Sequence, residues 1–138
     1  MTYTRTIAIE FNHCDPAGIV FYPRYFEMTN SVVENFCADV LHDPFSRQMA
    51  EGRGVPTVRV EIDFRAPSRL GERVAFHLDV QRIGGASVTF AIRAQCGGQH
   101  RLDGHLTLVR LGPTGRPERW PDDIRARLAD HLRQGETA

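Results

Sequence analysis

The sequence predicts an α+β domain in which an antiparallel sheet packs around one central helix. Two patterns lead to this expectation. Apolar residues first recur at helical spacing, from Val33 to Leu41, and after Gly54 the chain changes to the alternation typical of strands. Strands that follow one another through tight turns pair as antiparallel neighbours. Their apolar face needs a cover, and only the long helix is large enough to provide it.

Short local signals define the first strand and the helix that follows it. Residues 4–11 alternate between polar and apolar side chains, and this pattern places Ile7, Ile9 and Phe11 on one face of a strand. Pro23 suits the start of a helix, because a missing N–H group costs nothing in the first turn. The apolar stripe of the long helix consists of Val33, Phe36, Cys37, Val40 and Leu41.

The rest of the chain predicts a short helix, four strands and a C-terminal helix. The pair Asp43-Pro44 indicates the N-cap and first turn of a short helix that ends near Ala50. Alternating apolar positions mark strands over residues 58–65, 74–80, 88–94 and 102–111. The first of these is expected to be half-buried. Gly84-Gly85 and Gly97-Gly98 predict hairpin turns. A spacing of four predicts a last helix through Ile124, Leu128 and Leu132.

The size and charge of the chain limit the number of domains and the kinds of partner that we expect. It has 138 residues with 17 basic and 17 acidic side chains, so its formal net charge is zero. This length predicts a single domain over residues 1–138. Zero net charge argues against a nucleic-acid partner and favours association into a homo-oligomer. All 17 basic side chains are arginine. The absence of lysine excludes catalysis through a lysine Schiff base.

The cysteines and the N-terminus bear on the cellular compartment. Cys14, Cys37 and Cys96 form an odd, sparse set that makes a poor disulfide framework and suits a reducing compartment. No apolar run approaches the ~18 residues that a membrane span needs. The N-terminus also lacks the apolar core of a signal peptide. We therefore expect a cytoplasmic protein without a membrane partner.

The segment from His13 to Tyr25 holds the strongest candidates for chemistry. A carboxylate, Asp15, precedes the predicted helix, whose N-terminus presents free N–H groups that suit a developing oxyanion. Such a carboxylate is able to attack a carbonyl or to activate water. The alternative is that Asp15 only forms a turn ahead of Pro16. A metal site is not expected, because no second cluster of ligands accompanies His13, Cys14 and Asp15.

Three motifs resemble the hotdog-fold thioesterases, in particular the 4-hydroxybenzoyl-CoA thioesterase family. The longest is DPAGIVFYPRY over residues 15–25. The second is VRVEIDFRAPSRLGE over residues 58–72, and the third is RIGGASV over residues 82–88. The resemblance covers about residues 5–111 and leaves the C-terminal segment 112–138 outside it.

The resemblance implies a hotdog fold, a five-stranded antiparallel sheet wrapped around a long central helix. It implies an acyl-CoA thioesterase that needs no metal and no cofactor, since coenzyme A is part of the substrate. Family members form dimers or homotetramers with active sites at the subunit interface. The catalytic aspartate of the family falls on Asp15, as nucleophile or as general base, and its oxyanion donor falls on the backbone N–H of Tyr22.

The resemblance also implies residues that bind the substrate. Gly18 lets the backbone approach the ligand closely. Asn30 stands where the 4-hydroxybenzoyl branch has a carboxylate that binds the ring hydroxyl, so an aromatic or other bulky acyl group is expected without a requirement for that hydroxyl. Val60 is also assigned to substrate binding. The residues assigned to coenzyme A are Arg65, Arg82 and Ser87.

Two alternative functions share the expected fold. A hotdog dehydratase or hydratase places a histidine with an acidic partner around the helix, and no histidine lies between Asp15 and Leu41. A non-catalytic acyl-CoA-binding protein would not need the intact motif at residues 15–25. The aromatic residues of this segment either line an acyl pocket or anchor the helix in the core, and they are Phe21, Tyr22, Tyr25 and Phe26.

Overall fold

The computed structural model describes residues 1–133, so the last five residues of the predicted segment 112–138 lie outside the described residues. The strands are β1 (Tyr3–Ala8), β2 (Thr57–Phe64), β3 (Arg73–Ile83), β4 (Ser87–Cys96) and β5 (Gln99–Val109). The helices are α1 (Arg24–Asp39), α2 (Phe45–Ala50) and α3 (Asp122–Asp130), with a short 3-10 helix at Phe11–His13. Each predicted helix and strand is present, with changed boundaries.

The five strands form one antiparallel sheet in the order β1-β3-β4-β5-β2. The expected pairing of sequence neighbours holds for β3, β4 and β5, which are joined by short turns. It is wrong for β2, which pairs with β5, so that Arg59 lies opposite Thr107. The reason is the connection over residues 65–72, which is too long for a tight hairpin and carries the chain to the far side of the sheet. There β1 occupies the other edge of β3.

The core lies between α1 and the inner face of the sheet. Phe36 of α1 is fully buried and meets Phe90 of β4 edge to face, with ring centroids 5.3 Å apart. Burial of one such side chain contributes about 1.5–3 kcal/mol to folding. The expectation that Cys37 is buried is confirmed. Ile124 and Leu128 of α3 and the indole of Trp120 complete the same core.

Two boundaries near the chain start differ from the expectation. The strand predicted over residues 4–11 ends at Ala8, and Phe11 lies in the 3-10 helix with 82% of its surface exposed. The backbone turns there because the His13 ring accepts a hydrogen bond from the Glu10 N–H. The short helix α2 is capped by Pro44 rather than by Asp43, whose carboxylate instead forms an ion pair with Arg53.

The expectation of a half-buried β2 is wrong. Val58, Val60 and Phe64 are 59%, 43% and 45% exposed, whereas Ile62 is partly buried against the core. The physical reason is the position of β2 at the sheet edge, where it has β5 as a neighbour on one side and none among residues 1–133 on the other. The alternating pattern predicts that one face of β2 is apolar, but residues 1–133 leave most of that face exposed.

The last predicted helix is shorter than its apolar spacing indicates. Helix α3 ends at Asp130, and Leu132 lies beyond it in a parallel bridge with Val80 of β3. The spacing of four nevertheless identifies residues that face the core, because Ile124 and Leu128 are buried and Leu132 packs against them.

Candidate functional site

Asp15 lies in a tight loop between the 3-10 helix and α1. Its carboxylate oxygen Oδ1 accepts a hydrogen bond from the Ala17 N–H at 2.9 Å, and its backbone carbonyl accepts one from the Gly18 N–H at 2.9 Å. Gly18 has a φ of +81°, a conformation that side chains other than glycine rarely adopt. The loop therefore holds the half-buried Asp15 carboxylate in a defined position.

The backbone between this loop and α1 leaves one N–H group available. The Phe21 N–H donates to the His13 carbonyl at 2.9 Å, and the Arg24 N–H donates to the Phe21 carbonyl at 2.8 Å. Between them, Pro23 has no N–H, and the Tyr22 N–H has no acceptor among residues 1–133. It lies next to the first turn of α1, where the helix dipole favours negative charge. This geometry suits an oxyanion.

The Asp15 loop is attached to the connection between β2 and β3. The Val20 N–H donates to the Ser68 carbonyl at 2.9 Å, and the Ser68 N–H donates to the hydroxyl of Tyr25 at 3.3 Å. Ile19 also forms an antiparallel bridge with Arg69. Loop and connection therefore form one unit, and a shift of either displaces Asp15.

A buried ion pair supports that unit from below. The guanidinium of Arg101 donates to both oxygens of Glu72, and its Nη1 also donates to the Ser68 hydroxyl at 3.0 Å and the Pro67 carbonyl at 3.1 Å. The hydrogen bond from Arg101 is the main cause that lowers the pKa of Glu72 to about 2. The sequence analysis missed this network. Ser68 and Glu72 lie within the second motif, but nothing in the sequence indicates that Arg101 is their partner.

The aromatic residues in and just before the first turn of α1 gather around Phe64 at the end of β2. The Phe64 ring centroid lies 5.4 Å from that of Tyr25, 6.2 Å from Tyr22 and 6.4 Å from Phe26. Tyr25 is buried and anchors the helix, whereas Phe21 and Tyr22 are exposed. The anchoring role therefore applies to Tyr25, and Phe26 lines a concavity between α1 and β2.

A concavity of about 180 Å³ lies between α1 and β2, and it brings Asn30 and Val60 together. Its wall consists of Phe26, Thr29, Asn30, Val33, Thr57, Val60 and Leu106. A second concavity of about 300 Å³ continues toward α2 and shares Asn30 and Thr57 with the first. Gly18, the third residue assigned to the substrate, lies in the Asp15 loop and outside both walls.

The three residues assigned to coenzyme A fall in two places. Arg82 and Ser87 share the wall of a concavity of about 510 Å³ on the outer face of the sheet, and Arg59 lies in the same wall. Arg65 is outside it, about 20 Å along β2 from Arg59 at a rise of ~3.3 Å per residue. Its guanidinium forms ion pairs with Asp63 and Asp103. The structure therefore groups Arg82 with Ser87 and separates them from Arg65.

Comparison with known proteins identifies the family. A model of the thioesterase-like superfamily matches residues 9–128. The chain belongs to this superfamily. Its sequence is 27% identical over 103 residues to a 1,4-dihydroxy-2-naphthoyl-CoA hydrolase of Crocosphaera subtropica, covering 75% of this chain and 72% of the relative. The prediction that the protein belongs to a class of enzymes that hydrolyse thioesters is thereby confirmed.

Solved structures confirm the expected hotdog fold. A 1,4-dihydroxy-2-naphthoyl-CoA thioesterase from Synechocystis superposes with a TM-score of 0.85 at 19% identity, covering 94% of this chain and 97% of the other. A gentisyl-coenzyme A thioesterase superposes with a TM-score of 0.84 at 22% identity, covering 91% and 99%. These identities are low, so the superpositions establish the fold of this superfamily member and not the roles of its residues.

Two further findings concern the described part of the chain. Among residues 1–133, no three histidine, cysteine, aspartate or glutamate side chains lie close enough together to hold a metal ion. None of the helices there is both long and apolar enough to cross a membrane.

Proposed function

We propose that this protein hydrolyses an aromatic acyl-CoA thioester to the free acid and coenzyme A. The observation that carries the proposal is the proximity in the chain of the Asp15 carboxylate and the Tyr22 N–H, which has no acceptor among residues 1–133. Both precede the positive end of α1. The names of the relatives support the aromatic class, because a naphthoyl-CoA hydrolase is similar in sequence and a gentisyl-CoA thioesterase is similar in fold.

The proposed reaction uses one water and no cofactor. In one route the Asp15 carboxylate attacks the thioester carbonyl, coenzyme A leaves as thiolate, and water hydrolyses the resulting anhydride. In the other route Asp15 takes a proton from the water that attacks the carbonyl. In both routes the Tyr22 N–H donates to the carbonyl oxygen as negative charge develops there. Removal of one such donor typically lowers kcat by about 10²–10³-fold.

The acyl group is proposed to lie along α1 in the concavity that contains Asn30 and Val60. The wall of this concavity is mainly apolar and suits an aromatic ring. The carboxamide of Asn30 is able to donate to or accept from a ring substituent without adding charge. A ring hydroxyl is therefore allowed and not required.

We also propose that the functional form is a homodimer or a dimer of dimers. The exposed apolar residues of β2 support self-association through this edge, because an uncovered apolar edge strand favours pairing with a second chain. Val60 lies on this strand, so a second subunit at this edge would meet the acyl concavity directly. A cytoplasmic location stays a prediction.

A thiol-release assay tests the proposed function. The substrates are benzoyl-, 4-hydroxybenzoyl-, 1,4-dihydroxy-2-naphthoyl- and butyryl-CoA, with crotonyl-CoA to detect hydration. We expect release of coenzyme A from the aromatic esters and a loss of at least ~10²-fold in kcat for Asp15→Asn. Asp63→Asn is the matched control, because that carboxylate is exposed on the outer face of β2. Hydration of crotonyl-CoA without thiol release, or normal turnover by Asp15→Asn, would refute the proposal.

A further inference from the structure

The turn between β3 and β4 is held by its carbonyl groups. Four consecutive carbonyls, from Gly84 to Ser87, accept hydrogen bonds from the end of β5 and the C-terminal segment. The donors are Arg125 Nη2 to Gly84 at 2.6 Å, the Trp120 N–H to Gly85 at 3.1 Å, the Arg110 N–H to Ala86 at 2.7 Å and Trp120 Nε1 to Ser87 at 2.9 Å. These four bonds define the orientation of the peptides in the turn.

This arrangement determines where the N–H groups point. In a trans peptide the C=O and the N–H point in opposite directions. Because the Gly84 and Gly85 carbonyls face the C-terminal segment, the N–H groups of Gly85 and Ala86 face away from it. Neither has an acceptor among residues 1–133. The Ser87 hydroxyl lies beside Gly84, where a side chain would have to displace it. Successive free N–H groups of this kind bind anions.

The same C-terminal segment also fixes the strand that leads into the turn. The pairing of β3 with β4 shifts by one residue between Val80 and Arg82. Val80 donates its N–H to the His131 carbonyl and accepts from the Arg133 N–H, both at 2.8 Å. The shift places Arg82 opposite Thr89 on the outer face of the sheet, where its guanidinium forms no ion pair within residues 1–133.

The concavity beside the turn offers both hydrogen-bond donors for a phosphate and an acceptor for a nucleotide base. Arg82 and Ser87 lie in its wall, and the carboxylate of Glu61 in the same wall is already paired with Arg59 at 3.1 Å. The side-chain oxygen of Gln81, also in the wall, is buried without a hydrogen-bond partner. A phosphate satisfies the donors, and an amino group such as that of adenine satisfies the unpaired oxygen.

We propose that the segment from Arg110 to Arg133 orients this turn and Arg82 to bind the nucleotide phosphates of coenzyme A, with Trp120 and Arg125 as positioning residues. Neither residue touches the ligand. Arg125 holds the Gly84 carbonyl through its side chain, and Trp120 holds the Gly85 carbonyl through its backbone N–H, so that the Gly85 and Ala86 N–H groups point at the phosphate. The Trp120 indole holds the Ser87 carbonyl at the end of the turn. The inference rests on the proposed function, since it takes acyl-CoA as the substrate, and it gives the part of the chain outside the first resemblance a role in substrate binding.

The test compares two thioesters of the same acid. One is the CoA ester and the other is the N-acetylcysteamine ester, which has no nucleotide. The variant is Trp120→Phe combined with Arg125→Gln, which removes the side-chain donors to the Ser87 and Gly84 carbonyls and keeps an aromatic ring in the core. The two backbone donors to the turn remain, so the variant loosens the turn without unfolding it. We expect the KM for the CoA ester to rise about 10-fold, while kcat and the KM for the N-acetylcysteamine ester stay unchanged. A purely structural role would change both esters alike.

A matched control and a binding measurement complete the test. Arg127→Gln lies in the same helix and loses a bond to the Leu41 carbonyl, not to the turn, so both KM values should stay unchanged. Adenosine 3′,5′-bisphosphate should bind the wild-type protein and bind at least 10-fold more weakly to Arg82→Ala and to the double variant, as measured by calorimetry.

The outcomes separate this inference from the proposed function. Equal KM changes for the two esters, or no binding of the bisphosphate to a protein that hydrolyses acyl-CoA, would overturn the inference and leave the proposed function intact. Bisphosphate binding that the double variant weakens, in a protein that hydrolyses neither ester, would uphold the role of the turn and refute the proposed hydrolysis.

Discussion

Arg101 and Glu72 form a two-pronged ion pair beneath the loop that carries Asp15. Nη1 lies 2.7 Å from Oε1 and Nη2 lies 3.0 Å from Oε2. The guanidinium is buried and the carboxylate is mostly buried. The pair links the start of β5 to the connection between β2 and β3, to which the Asp15 loop is bonded. The ion pair therefore stabilises the fold and also helps to hold the candidate catalytic carboxylate in position.

Removal of Arg101 should destabilise the protein strongly. Arg101→Met leaves the Glu72 carboxylate without its partner, and breaking a buried pair typically costs about 3–5 kcal/mol. We expect a loss of about 3 kcal/mol in the free energy of unfolding, measured by urea denaturation. Arg59→Met is the control, because its pair with Glu61 is exposed and should contribute less than about 1 kcal/mol. Equal losses in the two variants would contradict the assignment of Arg101 as a buried support.

The same pair makes stability depend on pH in the acid range. The pKa of Glu72 is about 2 in the folded protein and 4.5 in its ordinary state. Because the folded pKa is the lower one, its stabilisation is complete above about pH 4.5 and is lost as pH falls toward 2. The free energy of unfolding, followed from pH 6 to pH 2, should fall less steeply in Glu72→Gln than in wild type. Parallel curves for the two proteins would exclude this contribution.

Gly18→Ala should reduce activity more than its cost in stability explains. An alanine at φ +81° costs about 1–2 kcal/mol, and relaxation of that strain moves the loop that holds Asp15. We expect kcat for an aromatic CoA ester to fall about 10-fold, since small displacements of a catalytic group have large effects.

Gly115→Ala provides the matched control for that variant. Gly115 has a φ of +77° and equally open surroundings, but it lies in the connection between β5 and α3. Its alanine variant should lose similar stability, measured as a shift in Tm, and keep its kcat. A comparable loss of kcat in both variants would show that Gly18 matters only for folding.

Asn30→Asp should change the order of substrate preference. A carboxylate at this position accepts a charge-assisted hydrogen bond from a ring hydroxyl, which the neutral amide does not provide. We expect the ratio of kcat/KM for 4-hydroxybenzoyl-CoA to that for benzoyl-CoA to rise about tenfold. Gln99→Glu, which adds the same charge at the distant start of β5, should leave the ratio unchanged. An unchanged ratio in Asn30→Asp would place the acyl group elsewhere.

A charge on the exposed edge of β2 should dissociate the proposed oligomer. Val58 is exposed in the single chain, so Val58→Glu is expected to fold normally, whereas burial of its charge between two subunits is costly. We expect the dimer Kd from sedimentation to rise at least 100-fold. Thr6→Glu on β1, the opposite edge of the sheet, is the control and should leave the dimer intact. A dimer that tolerates Val58→Glu would locate the interface away from β2.

The features that follow from neighbouring residues could be predicted from the sequence. The stripe from Val33 to Leu41 identifies α1, because helical periodicity is local. Gly97-Gly98 identifies a two-residue turn, and both residues have the positive φ that such a turn needs. The position of Asp15 before a helix was predictable for the same reason, since Pro23 marks the helix start a few residues later.

The features that depend on distant residues could not be predicted. β2 pairs with β5 because the long connection over residues 65–72 allows it, and no turn signal specifies that choice. Arg101 finds Glu72 only after β5 and the connection are in place, so charge patterns along the chain do not reveal the pair. The division between Arg82 and Arg65 arises in the same way, because sequence motifs give residue types and only the strand order and register decide how far apart two side chains lie on the sheet.

The edge position of β2 also has a consequence for the order of synthesis. Thr107, which lies opposite Arg59 in the sheet, leaves the ribosome long after β2 has emerged. During that interval the apolar side chains of β2 have no strand to pair with, and α1 is already made. The nascent chain thus carries β2, with its exposed apolar side chains, unpaired until β5 has been made. In the proposed dimer, pairing through this edge therefore needs a completed sheet, because β5 is the strand that holds β2 in place.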